Sequence, residues 1–222
     1  MTTLEDLKTY CKGKRIIIVG NSSSLLNGSH RKIIDSYNVV VRINRGYFNT
    51  ALHYSENVGS KTNILSIGVQ TAAQASIIVG SNSVNYILSP IIYSERLNYP
   101  NLYDVQQDTY NTLKESLGNT KPSTGISTYN FFNRFIDFAR LDLIGFDFFE
   151  SSMLQRNQLG HIKVSDHNGT IERSFFWKTL DPEKTTLHKT NSSSTIPTTT
   201  VNNIPIHTRE NQFFFKNNRR KK

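Results

Sequence analysis

Two unbroken runs of β-branched residues constrain the fold of this chain more than any other feature. The first is IIIV at residues 16–19, and the second is VVV at residues 39–41. Strands that are buried on both faces have such sequences, and they are typical of parallel sheets covered by helices on both sides. A helical pattern at residues 29–36 separates the two runs. Residues 14–46 therefore predict a right-handed strand, helix and strand unit whose two strands end at one edge of a sheet.

The rest of the chain repeats this alternation of short apolar runs and helical patterns. Further strands are predicted at residues 63–66, 85–89 and 141–144, and further helices at residues 3–10, 69–79, 104–117 and 124–138. Alternating strands and helices are typical of α/β proteins. We predict a single Rossmann-like domain in which a mostly parallel sheet is flanked by helices.

The length of 222 residues suits one domain with a sizeable core. We expect the Rossmann-like domain to cover residues 1–187. Residues 188–206 are rich in Ser, Thr and Asn, which predicts a flexible loop that could close over a site as a lid. Residues 207–222 are expected to form a C-terminal helix and a basic tail that belong to the same domain.

The chain carries a formal net charge of +9, part of which lies in its last residues, KNNRRKK. Such a tail predicts peripheral contact with an anionic membrane surface, although a solvated terminus explains it equally well. No run approaches the roughly 18 apolar residues that span a bilayer, and no signal-peptide pattern opens the chain. We therefore expect a cytoplasmic protein. No specific nucleic-acid partner is expected, because basic and aromatic residues are not interleaved.

The first predicted strand ends in the loop GNSSS at residues 20–24, which leads toward a helix. Such a loop exposes backbone N–H groups and the positive end of a helix dipole to an anion. Asn21 and Ser22 add donors and acceptors suited to phosphate or ribose, and Asn44 ends the next strand at the same edge. The loop matches no standard nucleotide-binding motif, and an ordinary turn is an equal alternative.

The segment KPSTG at residues 121–125 offers a second loop of the same kind. Ser123 and Thr124 supply hydroxyl groups, and Gly125 leaves the backbone bare at the start of a predicted helix. An ordinary N-cap is the commoner reason for Ser or Thr at such a position. Two such loops on one sheet nevertheless favour a nucleotide site that both of them form.

Several classes of site are disfavoured by what the sequence lacks. Cys11 is the only cysteine, so neither an internal disulfide nor a cysteine zinc cluster can form. No D-x-D pair follows a strand and no histidines have the H-x-x-x-H spacing, so no metal and no other cofactor is predicted. The absence of G-x-S-x-G argues against a hydrolase with a nucleophile elbow.

His207 precedes the predicted C-terminal helix, and Glu210 and Gln212 follow shortly after it. Histidine can take a proton from an alcohol at neutral pH, and a helix N-terminus favours its neutral form. His207 is therefore a candidate general base, with Glu210 and Gln212 as candidate supporting groups. A surface histidine without a catalytic role is the commoner alternative.

Taken together, these segments resemble the animal-type sialyltransferase family, which is recognised by motifs named L, S, III and VS. Residues 14–62 resemble motif L, with VGNSSSLLNGS, then VVVRIN, then NVGSKT where the family has D-V-G-x-[KR]-T. Residues 121–147, KPSTGISTYNFFNRFIDFARLDLIGFD, resemble motif S. His207 with Gln212 is similar to the H-x-x-x-x-E of motif VS. Candidates for motif III are His161, His167 and the region of Trp177.

The resemblance implies a variant GT-A fold and a metal-independent, inverting transfer of sialic acid from CMP-sialic acid to a sugar hydroxyl. By their positions in the motifs, Asn21 and Asn44 would contact the nucleotide phosphate and ribose. Residues 123–125 would contact the cytidine end and the donor, and His207 would act as the base. The implied partners are a CMP-sugar donor and a glycan acceptor.

The chain also departs from the family that it resembles. The family joins motifs L and S by a disulfide, which a chain with one cysteine cannot form. The family's animal members carry a membrane anchor, and no such segment is evident. These departures favour a soluble bacterial or viral enzyme acting in the cytoplasm.

Three other interpretations stay open at this point. The enzyme could use another CMP-linked nonulosonic acid as its donor. It could also be a degenerate relative that binds a nucleotide without catalysis, because Gln212 stands where motif VS has glutamate. A nucleic-acid-binding protein rests only on the charge of +9 and the basic tail.

Overall fold

A computed structural model describes residues 2–44, 46, 54–68, 79, 84–90, 98–151 and 167–190. By residue contacts the chain divides into Met1–Ser192 and Ser193–Lys222, and all described residues belong to the first unit. The helices are α1 (Leu4–Cys11), α2 (Arg31–Asp35), α3 (Ser55–Val58), α4 (Gln107–Ser116), α5 (Thr124–Phe135) and α6 (Gly169–Thr179). The strands are β1 (Arg15–Val19), β2 (Val39–Ile43), β3 (Ile64–Ser66), β4 (Tyr86–Ser89), β5 (Leu102–Asp104), β6 (Arg140–Ile144) and β7 (Thr185–His188). A 3-10 helix, Ser23–Asn27, follows β1.

The seven strands form one sheet in the order β5-β4-β3-β2-β1-β6-β7, and every pairing described in it is parallel. The predicted α/β class with its Rossmann-like sheet is therefore confirmed. From β1 the chain builds outward through β2 to β5, and it then returns to place β6 on the other side of β1. This reversal is a topological switch point, and it opens a crevice beyond the carboxyl ends of β1 and β6.

Successive residues of β1 face opposite layers, which explains why residues 16–19 are apolar without interruption. Ile16 and Ile18 belong to a core formed with α1, α4, α5 and α6. Ile17 and Val19 belong to a second core, formed with the 3-10 helix, α2 and α3. The sheet is therefore covered on both faces around β1, as parallel sheets require.

Two strands and two α-helices of the structure were not predicted. The helix predicted at residues 104–117 begins later, at α4, because residues 102–104 form β5. Both β5 and β7 lie at sheet edges, and most of their residues are only partly buried, so they lack the apolar run of a central strand. Helices α3 and α6 were not predicted either. The strand predicted at residues 141–144 is therefore β6, the sixth strand of the chain and not the fifth.

Three predicted features lie outside the described residues, apart from Val79. They are the helix at residues 69–79, the region of His161, and the C-terminal helix with its basic tail. The loop predicted to begin at residue 188 begins inside β7, because His188 is the last residue of that strand. Residues 191–206 of this loop are not described either. In the part of the chain that is described, no helix is long and apolar enough to cross a membrane.

Candidate active site

A pocket lies at the carboxyl edge of the sheet, where the switch point predicts a ligand site. Residues that follow β1, β2 and β6 line it together with the start of α5 and part of α6. They are Gly20, Asn21, Ser22, Ile43, Asn44, Ser123, Thr124, Gly125, Gly145, Phe146, Asp147, Phe148, Phe149, Ser151, His167 and Glu172. All six nucleotide-site residues named from the sequence are among them. The structure therefore brings together two loops that are about a hundred residues apart in the chain.

The loop after β1 is joined closely to the end of β6. Gly20 N–H donates to the carbonyl of Ile144 at 2.8 Å, and Ser22 N–H donates to the carbonyl of Gly145 at 3.1 Å. A Cβ on Gly20 would overlap the carbonyl oxygen of Gly145. Glycine is therefore required here by the close approach of two backbones.

Asn21 bridges the ends of β1 and β2. Its Nδ2 donates a hydrogen bond of 3.2 Å to the carbonyl of Ile43. This contact fixes the amide at the pocket's edge, where it can present a donor and an acceptor to a ligand.

Ser22 is buried, and its hydroxyl is used inside the protein. Its Oγ lies 2.9 Å from Asp147 Oδ2, to which it donates, and 2.9 Å from Ser151 Oγ. It also accepts from the N–H of Ser24 at 3.1 Å, which caps the 3-10 helix. Ser22 therefore lines the pocket as predicted, but its hydroxyl holds the loop in place.

Asn44 connects β2 to the helices. Its backbone is in the left-handed region, with φ of 49°, which asparagine tolerates better than most residues. Its Oδ1 accepts from Gly68 N–H at 2.5 Å, and its Nδ2 donates to Thr124 Oγ1 at 3.2 Å. The side chain thus ties the end of β2 to the start of α5.

The start of α5 lines the pocket, and the N-cap interpretation of its sequence is confirmed, while its role in a nucleotide site stays a prediction. Ser123 is the N-cap, because its Oγ accepts from the N–H of Ile126 at 3.2 Å. The first N–H groups of an α-helix have no partner within the helix, and they favour an anion. A Cβ on Gly125 would lie 2.8 Å from the ring of Phe146, so a larger residue would displace this wall of the pocket.

Glu172 in α6 is a pocket residue that was not predicted. Its side chain accepts two hydrogen bonds of 2.7 Å, from the N–H and from the hydroxyl of Ser123. The residue is 3% exposed. Burial raises the pKa of Glu172 to about 7, although the hydrogen bonds from Ser123 act in the opposite direction. One buried carboxyl therefore connects α6 to the start of α5.

His167 lies two residues before α6 and lines the same pocket. Its Nδ1 is 3.0 Å from the carbonyl oxygen of Lys121, and its ring stacks on Phe149 with centroids 5.7 Å apart. A carbonyl can only accept, so Nδ1 carries the proton in this hydrogen bond and Nε2 is the basic nitrogen. The next residue, Asn168, caps α6 by accepting from Ile171 N–H at 3.1 Å.

The sequence contained a signal for these two residues. In HNGTIE, at residues 167–172, histidine and glutamate have the H-x-x-x-x-E spacing of motif VS. The sequence resemblance assigns that motif to His207 and Gln212, which lie outside the described residues together with Glu210. In the described ranges, no group of three or more His, Cys, Asp or Glu side chains could hold a metal ion.

The model of glycosyltransferase family 29 (sialyltransferase) matches residues 8–142 of the chain. The chain belongs to this family. The resemblance stated from the motifs is therefore confirmed, and the protein is a glycosyltransferase. No curated protein matches the chain significantly.

Solved structures with similar folds include sialyltransferases from mammals and from a bacterium. A mammalian sialyltransferase in complex with Gal-beta-1-3GalNAc-ortho-nitrophenol is 19% identical, with a TM-score of 0.53 over 82% of this chain and 70% of that chain. Another structure of a mammalian sialyltransferase is 18% identical, with a TM-score of 0.53 over 81% and 70%. CstII from Campylobacter jejuni, in complex with cytidine-5'-monophosphate, is 18% identical, with a TM-score of 0.48 over 76% and 77%.

In this family 29 glycosyltransferase, the remaining motif L residues stabilise the fold beside the pocket. Asp35 accepts from the N–H groups of Ser60 and Lys61, both at 3.0 Å. Arg42 is buried and donates to the carbonyl of Val58 at 2.8 Å. Asn57, where the family has aspartate, donates through Nδ2 to two carbonyls, at 2.8 and 3.2 Å. A carboxylate could not make these donations, so asparagine fits this site better.

Proposed function

We propose that the protein transfers sialic acid from CMP-sialic acid to a hydroxyl group of a glycan, with inversion and without a metal ion. The observation that carries the proposal is the meeting of His167, a histidine with a defined basic nitrogen, with the two predicted nucleotide loops in one pocket. Membership of family 29 supports the reaction class. The proposed donor, stereochemistry and metal independence follow from the resemblance.

The donor would occupy the pocket along the ends of β1 and β2. Asn21 and Asn44 are proposed to contact the phosphate and ribose, because their amides stand at this edge beside the helix start. Residues 123–125 are proposed to contact the cytidine end and the donor. The first N–H groups of α5 would stabilise the negative charge that develops on the phosphate when CMP departs.

In the proposed reaction, the oxygen of the acceptor hydroxyl attacks the anomeric carbon of sialic acid. The bond from that carbon to the phosphate oxygen breaks, and its electron pair leaves with CMP. A base takes the hydroxyl proton as the new glycosidic bond forms. The anomeric carbon has oxocarbenium character at this point, as in other glycosyl chemistry.

We propose His167 as this base. Its proton on Nδ1 is directed to a backbone carbonyl, which makes Nε2 the acceptor for the hydroxyl proton. His207, the base expected from the sequence, stays a competing prediction that the same assays can test.

A thermal-shift comparison of CMP, UMP, GMP and AMP tests the donor. Selective stabilisation by CMP is expected, since a ligand that binds only the folded state stabilises it by RT ln(1 + [L]/Kd). No stabilisation by CMP at about 1 mM, where a ligand with a Kd of ~10 μM would give about 2.7 kcal/mol, would overturn the assignment.

Release of CMP from several CMP-linked sugars then identifies the sugar. Release from CMP-sialic acid in preference to other CMP-nonulosonates supports the proposal. CMP binding without transfer or hydrolysis would favour a degenerate relative. The expected membrane contact through the basic tail, the cytoplasmic location and the bacterial or viral origin stay predictions.

A further inference from the structure

A second pocket adjoins the candidate active site on the side of β7. The two pockets share a wall formed by Phe146, Asp147, Phe148 and Ser151. The second pocket extends from this wall to α6 and the end of β7. Its other lining residues are Ser24, Glu150, Arg173, Trp177, Leu187, His188, Lys189 and Thr190. A molecule bound there would therefore lie next to the reacting groups without displacing the donor.

Trp177 gives the second pocket an unusual surface. Trp177 is 56% exposed. Among the described residues, the large apolar side chains that are exposed are those of Trp177 and Ile33. The indole is held by an edge-to-face contact with Phe176, whose ring centroid is 5.1 Å away, and Phe176 is fully buried. Trp177 therefore presents a firmly supported aromatic face in a pocket beside the active site.

The polar groups of the second pocket carry both signs of charge and are already oriented. Arg173 pairs with Glu150 at 2.5 Å and donates to the carbonyl of Asp147 at 3.1 Å. His188 contacts the buried carboxyl of Asp142 at 3.1 Å. Ser24 and Thr190 add hydroxyl groups that contact each other at 2.5 Å. Such a mixture suits a neutral ligand with many hydroxyl groups better than an ion of one sign.

We propose that the second pocket binds the acceptor glycan, with one pyranose ring stacked on Trp177. The apolar face of a pyranose fits an exposed aromatic ring, and its hydroxyl groups fit paired charges and side-chain hydroxyls. The sugar on Trp177 would be a unit next to the one that reacts, because the shared wall separates it from His167. This inference deepens the proposed function and rests on it, because a bound glycan is an acceptor only if the protein transfers a sugar to it.

Trp177 is the only tryptophan of the chain, so its fluorescence reports on this pocket alone. The full chain is titrated with three neutral disaccharides, namely lactose, maltose and N,N′-diacetylchitobiose, up to about 10 mM, where sites with a Kd of ~1 mM are mostly filled. Acrylamide quenching of the indole is measured at each point. We expect at least one disaccharide to protect the indole, and protection by none of them would overturn the proposal.

The disaccharide that protects best is then titrated calorimetrically into variants. Trp177→Ala is expected to weaken its binding by about two- to tenfold, the range of a stacked aromatic contact, and Trp177→Phe to retain most of it. Ile33→Ala, at an exposed apolar residue in α2, is the matched control and should bind normally. Unchanged binding to Trp177→Ala would also overturn the proposal.

Stabilisation by CMP is measured on the same samples, so the two proposals can fail separately. Binding of CMP without protection by any disaccharide would refute the glycan pocket and leave the donor site intact. Protection of Trp177 without binding of CMP would support the glycan pocket and refute the proposed donor. Equal stabilisation of the wild type and of Trp177→Ala by CMP is expected, because Trp177 does not line the donor pocket.

Discussion

One wall of the pocket is formed by the ends of strands, and the facing wall is formed by the starts of helices. The strand wall, Gly20, Asn21, Ser22 and Asn44, is held by short contacts to neighbouring strands and loops. The helix wall comprises Ser123, Thr124, Gly125, His167 and Glu172. It depends on hydrogen bonds between Ser123 and Glu172, which are 49 residues apart in the chain.

The difference shows where the pocket is sensitive to pH. The described hydrogen bonds of Asn21 and Asn44 involve amide, hydroxyl and backbone groups, which do not titrate near neutral pH. The helix wall contains a buried carboxyl whose pKa is raised to about 7, with the candidate base at the start of the same helix. Both walls are therefore expected to contribute to nucleotide affinity, because residues 123–125 are proposed donor contacts, and the helix wall is expected to set turnover and its pH dependence.

The variant expected to distinguish the functions of the two walls most clearly is His167→Ala. Loss of a general base typically reduces the rate by about 10²–10⁴-fold, so transfer is expected to fall by that factor. Stabilisation by CMP should stay near the wild-type value, because the strand wall is intact. Initial rates with CMP-sialic acid and thermal shifts with CMP measure the two effects.

The control for this experiment is His207→Ala, which tests the base expected from the sequence. Wild-type activity in this variant, together with loss of activity in His167→Ala, supports the assignment. Full activity of His167→Ala would remove His167 from the mechanism. A loss confined to His207→Ala would move the base to that residue.

Glu172→Gln tests whether the helix wall carries the pH dependence. Since the pKa of Glu172 is higher in the folded state than the ordinary value of 4.5, the folded state retains a proton that the unfolded state releases. The free energy of unfolding should therefore fall as the pH rises from about 4.5 to about 7, by roughly 3 kcal/mol. The carboxamide resembles the protonated acid, and it can still accept from Ser123 N–H and donate to Ser123 Oγ.

We expect Glu172→Gln to remove this part of the pH dependence, as measured by denaturant unfolding across the same range. Glu115→Gln, at an exposed carboxyl in α4, is the matched control and should follow the wild type. Equal slopes for the wild type and Glu172→Gln would show that the helix wall does not titrate in this range.

Asn21→Ala addresses the strand wall. A hydrogen bond to a charged group contributes about 1.5–3 kcal/mol, so CMP affinity is expected to fall by about 10- to 150-fold. Asn101→Ala is a matched control, because its Nδ2 also donates to a backbone carbonyl, at 3.1 Å, but away from the pocket. Calorimetric titration with CMP measures both. An affinity that falls equally in the two variants would indicate a general loss of packing.

The smallest effect on binding is expected for Ser22→Ala. Its hydroxyl is engaged within the protein, so the free energy of unfolding should fall by about 1–2 kcal/mol while CMP affinity changes less than about twofold. Ser174→Ala, which removes an exposed hydroxyl bonded only within α6, should change stability by less than about 0.5 kcal/mol. A large loss of CMP affinity in Ser22→Ala would show that the hydroxyl binds the nucleotide.

The central elements of the fold could be predicted because their sequences record burial on both faces. The runs that became β1 and β2 are β-branched throughout, and β6 contributes the apolar residues Leu141, Leu143 and Ile144. Strand β7, TTLH, packs at an edge of the sheet and needs few apolar residues. Its position is set by pairing with β6, which a local pattern does not reveal.

In the site, the sequence indicated the strand wall and the part of the helix wall that the start of α5 forms. Asn21, Asn44 and the start of α5 could be named because each follows a strong strand or begins a strong helix. His167 and Glu172 lie around the start of α6, in a region whose sequence has no regular apolar pattern. Their motif spacing was visible in the sequence, but it was also approximated at residues 207–212.

The sequence by itself determined the α/β class, the parallel strand, helix and strand unit at residues 14–46, the family resemblance and the loops that follow these strands. It did so because burial on two faces and turn chemistry act on neighbouring residues. Only the tertiary structure showed that His167 lines the pocket and that Glu172 is the buried partner of Ser123. Burial and pairing between distant segments depend on how the helices pack. The pKa of Glu172 is raised only because this packing buries its carboxyl.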